Sequence, residues 1–455
     1  MKNYDLIIIG SGPGGYVAAI KAAQENLSVA LIENENIGGV CLNHGCIPTK
    51  AYIKSAKTYK DFKNAKNYGI TVLENSVSIN LKDIVNRKNR IVRQLTTGVA
   101  YLLKKNKVDV FNGYGTLISK DEVKVNDEIL KAKNIIIATG ASPIVPPIKG
   151  AKEAYEGGFL VTSKELLKLT EQPKRLTIVG GGVIGIEFAT IFNFFDSEVT
   201  ILEMANDIAN TMDEDIIREY TKVLRSSKVN IITNAKVTEI GTSSVLYEKD
   251  GNIETHETDL VLMAIGTKPN LDAFKDVDIK LNKYGVEVNE FMQTNIKGIY
   301  AIGDVTGKLM LAHVASKEGF VAVDHILGRV DKPINYNAIP KAIYGIPEIA
   351  SVGLNEDEVK AKNISYTISK VPLMANGKAL ADGQTLGFIK LIKGTENDEI
   401  LGAHILAYNA VDILSEIIVG MNSNLTNADL ADAVHPHPSL SEIIMEAALK
   451  KPIHI

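Results

Sequence analysis

The chain opens on an apolar run, "YDLIIIG" (4–10), the pattern of a buried parallel strand. A glycine cluster follows, then "YVAAIKAAQENL", whose alanines suit a helix packed closely on a sheet, and then a second apolar stretch, "SVALIE". Strand, tight turn, helix and strand make a βαβ unit. The pattern returns in "RLTIVGGGVIGIEFATIFNFFDSEVTILE", offset by 170 residues, with Gly10 matching Gly180 and Glu33 matching Glu203. "NIIIATGASP" (134–143) and "LVLMAIGTKPN" (260–270) also echo each other, each reading as a strand that ends in a small-residue turn before a proline. A repeat this long is a duplicated domain, since solenoid periods are far shorter.

From about Asn337 the grammar changes. "EIASVGL", "SYTISKVPL", "GFIKLIK" and "EILGAHIL" read as antiparallel strands, followed by the amphipathic helices "AVDILSEIIVGM" and "SLSEIIMEAAL". The expected fold is α/β, with two Rossmann-like dinucleotide-binding domains and a C-terminal α+β domain. The expected boundaries are 1–143 with 271–336, 144–270, and 337–455. A chain of 455 residues exceeds one ordinary core, which agrees with several domains.

Composition removes some functions. A net charge of −4 without a prominent basic run argues against a nucleic-acid partner. No run reaches the roughly 18 apolar residues of a membrane span. Four glycines and a proline interrupt the N-terminal apolar stretch, so it does not read as a signal peptide. With two cysteines there is no secreted disulfide scaffold, and a cytoplasmic protein is expected.

Both repeats carry G-x-G-x-x-G between a strand and a helix: Gly10, Gly12 and Gly15, with Gly14 beside them, and Gly180, Gly182 and Gly185. The first glycine permits the turn, the second lets backbone approach a pyrophosphate, and the third lets helix and strand pack. Unpaired helix amides hold the anion. Glu33 and Glu203 close the following strands, where a carboxylate accepts from a ribose 2′-OH. Glu203 would repel a 2′-phosphate, so the second site favours NAD over NADP. Two such sites suggest a relay from a nicotinamide to a tightly held carrier such as FAD.

The only cysteines, Cys41 and Cys46, stand in "GGVCLNHGCIPTK". With His44 they offer three zinc ligands where a structural site wants four. They also fit an inert buried pair or a redox couple. A pair five residues apart on a regular helix is too far apart to bridge, so a disulfide here needs a bend, which Gly45 permits.

Together with "GSGPGGYVAAIKAA", "GGGVIGIEFA", "YAIGDV", "LAHVASKEG", "IYGIPEIASVGL" and "HPHPSLSE", the thiol segment resembles the dihydrolipoamide dehydrogenases. These are the E3 components of 2-oxo-acid dehydrogenase and glycine-cleavage complexes, within the pyridine nucleotide–disulfide oxidoreductases. The resemblance implies a homodimer that takes a lipoyl-bearing protein as substrate, with FAD and NAD as cofactors. It implies that Cys41 exchanges with dihydrolipoamide and that Cys46 lies against the flavin as the charge-transfer thiolate. It pairs Lys50 with Glu187 beside the flavin. Gly39, Gly140, Lys50, Asp304, Ala312 and His313 join the FAD set, and Gly266 joins the NAD set. His437 becomes the base for the attacking thiol, oriented by Glu442, and reaches the disulfide of the other subunit. His435 reads as structural. Ser439 and Glu442 also form a capping-box pattern, S-x-x-E, compatible with that role.

The sequence departs from the family pattern at Val40 (usually threonine), His44 (usually valine) and Thr49 (commonly serine). An imidazole at His44 would stabilise a thiolate if turned toward the cysteines. Rival readings are a related flavin reductase acting on glutathione-like disulfides or mercuric ion, and a dinucleotide-binding subunit holding zinc.

Overall fold

The computed structural model describes residues 2–73, 76–329 and 333–449. Met1 and residues 450–455, the extremities of the expected outer units, lie outside them. The first sheet has a parallel core in the order 109–112, 29–33, 2–9, 128–137 and 299–301. Strands 122–125 and 115–117 extend it antiparallel. Its last parallel strand comes from far downstream, so the chain leaves this sheet and returns to it.

The second sheet repeats the arrangement with strands 230–232, 198–202, 175–179, 260–263 and 160–161, all parallel. A three-stranded antiparallel sheet, 236–257, is attached to it. The third sheet is antiparallel, ordered 341–343, 348–353, 400–407, 388–394 and 366–372.

The two echoing segments do more than turn. Ala141–Pro143 and Thr267–Pro269 pair antiparallel with each other. Their small residues and prolines hide so short a ribbon from a periodicity reading.

One apolar cluster fixes the regions around the site. Ile178, Phe188, Phe192 and Ile201 of the second half meet Tyr52, from the helix after the cysteines, and Phe388 and Leu406 of the third sheet. Tyr52 is fully buried, and its hydroxyl donates to Leu167 O at 3.2 Å. The thiol-bearing helix is thereby wedged between the first half, the second half and the C-terminal sheet.

Candidate active site

The thiol segment is clamped to the first glycine loop. Gly38 and Gly39 adopt φ of +97° and +58°, conformations that favour glycine. Gly38 N–H donates to Ser11 O and to Ser11 Oγ, both at 3.1 Å. A Cβ on Gly39 would lie 2.7 Å from Gly12 Cα. A short helix, Gly39–His44, then stops at Gly45 (φ −131°, ψ −112°), and a new helix runs Cys46–Lys63. Gly45 supplies the bend, and Thr49 Oγ1 donates to its carbonyl at 2.7 Å.

Both cysteines are free thiols in this structure. They titrate as one interacting pair. The neighbouring Cys41, aided by the Lys50 ammonium, draws Cys46 below the usual thiol range. The neighbouring Cys46 and burial push Cys41 upward.

Lys50 Nζ lies 2.9 Å from both carboxylate oxygens of Glu187, whose side chain is 5% exposed. Glu187 sits inside an apolar helix, Val183–Phe194, where an unpaired carboxylate would be costly. Tyr344 N–H also donates to Glu187 at 3.0 Å, and the Lys50 ammonium stands 4.3 Å from the Tyr344 ring centroid.

Cys41 and Cys46 open onto a cavity of about 480 Å³. Its walls include Gly10, Gly12, Gly14, Gly15, Glu33, Gly39, Gly140, Asp304 and Ala312, so the structure brings these predicted residues together around the thiols. A Cβ on Gly12 would meet nothing within 4 Å, which leaves the backbone open to a pyrophosphate. Burial pushes Asp304 up to about 6, as for a carboxyl that lacks an ionic partner. An open glycine turn, an acidic strand end and a buried carboxyl fit a bound dinucleotide such as FAD.

Two predicted cofactor residues are not on these walls. The Lys50 ammonium is drawn to Glu187 instead. The His313 ring hydrogen-bonds Pro340 O through Nε2 at 3.0 Å, and only its neighbour Ala312 faces the cavity. The sequence reading also missed Ser11, whose amide and hydroxyl donate to Glu33 at 3.0 and 2.6 Å. A serine between two glycines was its only signal. Glu318 was missed as well: it is 1% exposed and accepts from Gly303 N–H at 2.6 Å, directly behind Asp304.

His44 lies on the cavity rim with Nε2 3.6 Å from Glu35, which also pairs with Lys164 at 3.0 Å. Burial and the Lys164 charge lower its affinity for a proton. Among the described residues, no three His, Cys, Asp or Glu side chains converge as a metal site.

The second loop repeats the turn. A Cβ on Gly185 would meet Gly180 O at 2.0 Å, and one on Gly15 would meet Gly10 O at 1.9 Å. Glu203 accepts from Gly181 N–H at 2.5 Å and Ala205 N–H at 2.7 Å. Gly182 and Gly266 are open, and Val183, Ile184, Met204 and Ile265 are exposed around the loop. An open pyrophosphate turn, an acidic strand end and uncovered apolar side chains fit a second dinucleotide such as NAD.

At the far end of the chain, His437 Nδ1 lies 2.8 Å from Glu442 Oε1. The Ser439 amide and the imidazole hold Glu442 below the usual carboxylate range. The capping box is only half formed. Glu442 accepts from Ser439 N–H at 2.8 Å, but Ser439 Oγ is buried with no partner among the described residues. The helix begins only at Glu442, too late for Ser439 to cap it. His435 binds Glu416 at 2.7 Å and Ala433 O at 2.9 Å, both ring nitrogens being engaged. The His437 side chain is 80% exposed and does not line the thiol cavity of its own chain.

Among the described residues, no helix is long and apolar enough to cross a membrane. Residues 4–319 match the model of the pyridine nucleotide-disulphide oxidoreductases, and residues 339–448 match that family's dimerisation domain. The chain is 52% identical to a dihydrolipoyl dehydrogenase of Acholeplasma laidlawii, over 74% of this chain and 99% of that one. It is 40% identical to a dihydrolipoyl dehydrogenase of Bacillus subtilis, over 98% of both. Among solved structures, LpdA of Mycobacterium tuberculosis superposes with a TM-score of 0.91 at 27% identity, covering 98% of this chain and 99% of that one. The HOCl-induced flavoprotein disulfide reductase RclA of Escherichia coli superposes with a TM-score of 0.87 at 28% identity, with the same coverage. With both family models matched across nearly the whole chain, this protein belongs to the pyridine nucleotide-disulphide oxidoreductases.

Proposed function

We propose that the chain is a dihydrolipoyl dehydrogenase that oxidises protein-bound dihydrolipoamide and reduces NAD, with FAD held in the thiol cavity. The placement of the two thiols carries this reading. Cys41 and Cys46 share a cavity with the first glycine loop, and Cys46 starts the helix that carries Lys50. We assign the thiolate to Cys46 and the exchange to Cys41, roles that their opposite shifts support. In this reading 1–143 with 271–336 bind FAD, 144–270 bind NAD, and 337–455 form the dimer interface. The two parallel sheets and the C-terminal antiparallel sheet support that division, with the ribbon 141–143 and 267–269 at the joint. We place the enzyme in the cytoplasm, serving the lipoyl arm of a 2-oxo-acid dehydrogenase or glycine-cleavage complex.

The chemistry starts from the oxidised Cys41–Cys46 pair. One lipoyl thiol gives its proton to His437 of a second copy, whose ring Glu442 orients, and attacks Cys41 Sγ. The Cys41–Cys46 bond breaks, and Cys46 leaves as the stabilised thiolate. The second lipoyl thiol then attacks the lipoyl sulfur of the mixed disulfide, closing lipoamide and expelling Cys41, which takes that thiol's proton. FAD, when bound, supplies the two-electron acceptor between the thiol pair and NAD. The exposure of His437 supports a homodimer, since it does not line the thiol cavity of its own chain.

Assays of dihydrolipoamide with NAD against oxidised glutathione with NADPH test the reading. Turnover of the first pair alone is expected, with Cys41→Ser and Cys46→Ser each lowering it by on the order of a thousandfold. Exclusive turnover of the second pair would replace it with a glutathione-type reductase.

A further inference from the structure

Tyr344 belongs to the C-terminal region, one residue beyond the strand Lys341–Ile343, yet it holds both members of the ion pair beside Cys46. Its amide donates to Glu187 Oε1 at 3.0 Å, and its ring face lies 4.3 Å from the Lys50 ammonium. Its position is fixed from behind: a Cβ on the next residue, Gly345, would come within 1.8 Å of the Tyr220 hydroxyl, and Tyr220 is fully buried. Lys50 has two opposed neighbours to serve. Glu187 neutralises it, whereas Cys46 needs its charge. Glu187 already holds the ammonium at 2.9 Å from both its oxygens, so the group on the other side of Nζ decides how far its charge is shared with Cys46. An aromatic face offers a third attachment, attracting a cation without neutralising it.

We propose that Tyr344 is a positioning residue for the charge-transfer thiolate, its ring holding the Lys50 ammonium where it serves Cys46 as well as Glu187. The proposal rests on the functional reading above. The charged and titratable groups around this cluster are Cys41, Lys50 and Glu187 facing Cys46, Glu348 and Asp412 facing Tyr344, and Lys57 facing Glu348. None of the last three is substituted below, and Glu348, which burial raises to about 7, titrates in every member of the series alike.

The test replaces residue 344, in the FAD-loaded enzyme, with phenylalanine and with phenylalanines carrying progressively more ring fluorines. Fluorination keeps the shape and drains the negative ring face. The readout is the pH midpoint of the long-wavelength thiolate–flavin absorbance after anaerobic two-electron reduction. Tyr344→Phe should keep the wild-type midpoint. Across the fluorinated series the midpoint should climb, the thiolate population at fixed pH falling roughly threefold or more by the last member. Tyr344→Leu should match that end point. A flat series with full flavin content would overturn the proposal and leave the function standing. A wild-type enzyme with no such band would overturn both.

Discussion

The two glycine loops are built alike and covered differently. In each, the third glycine touches the carbonyl of the first, and the acidic strand end accepts from an amide inside the loop and from another two residues beyond itself. Around the first loop the chain then closes: Gly38 and Gly39 press the thiol segment onto Ser11 and Gly12, and Asp304 and Ala312 arrive from far downstream. Around the second, Val183, Ile184, Met204 and Ile265 stay exposed. A shared turn can therefore serve a retained cofactor or an exchanging one, and the neighbours decide which. This matches the relay, in which FAD stays and NAD must leave reduced.

The largest effect that separates the loops is expected from Gly39→Ala. The added methyl would meet Gly12 Cα at 2.7 Å, at a positive φ, so the thiol segment must lift from the loop. Loss of flavin absorbance per chain and of all turnover is expected. Gly182→Ala changes the corresponding open turn of the second loop, where nothing lies within 4 Å. That variant should keep its flavin and raise the KM for NAD by about tenfold, because only the close pyrophosphate approach is obstructed. Flavin loss from Gly182→Ala would erase the distinction between retained and exchanging sites.

A smaller contrast is expected from the two carboxylates. Glu33 is 8% exposed and holds the Ser11 hydroxyl as well as two amides. Glu33→Ala should destabilise the first half by about 2–3 kcal/mol and weaken FAD retention. Glu203→Ala should leave thermal unfolding of the FAD-loaded enzyme within a few degrees of wild type and raise the KM for NAD about tenfold. Equal loss of flavin in both would show that the covering of the first loop does not matter.

What the sequence showed of this arrangement was its local grammar. The glycine turns and the bend at Gly45 are legible because their partners lie within a few residues or recur in register, and the His437–Glu442 pair is implied by the family resemblance. The clamp of Gly38 on Ser11, the seat of Tyr344 and the wedge around Tyr52 are long-range contacts without periodicity. Lys390 shows the same limit. It sits in the run "GFIKLIK", 2% exposed at its side chain, and meets Asp213, Asp215 and Glu356 at 2.9–3.1 Å. Nothing in the run announces partners so distant in the chain. For His44 the sequence leaves two readings, a ring toward the thiols and, favoured, a ring turned away, and the ring lies toward Glu35 at the cavity rim.

The finest difference between the loops is a proton. The first site has Asp304, raised from 3.8 to about 6 by burial. Without cofactor, the folded chain thus keeps a proton there between those two values that the unfolded chain has released. This contribution to stability is fully present below 3.8 and is lost as pH rises through about 6. In the proposed FAD site a ribityl hydroxyl would donate to Asp304, which asks for the ionised form, so FAD binding would expel the proton below pH 6. Affinity of the cofactor-free protein for FAD should therefore rise between pH 5 and 6, by up to about tenfold, and level off above. Glu318, raised to about 7 by burial behind Asp304, stays protonated over that interval and does not mask the effect. Flavin fluorescence quenching at a series of pH values measures it. Asp304→Asn should bind FAD more weakly and without that slope, and an unchanged slope in the variant would assign the proton elsewhere.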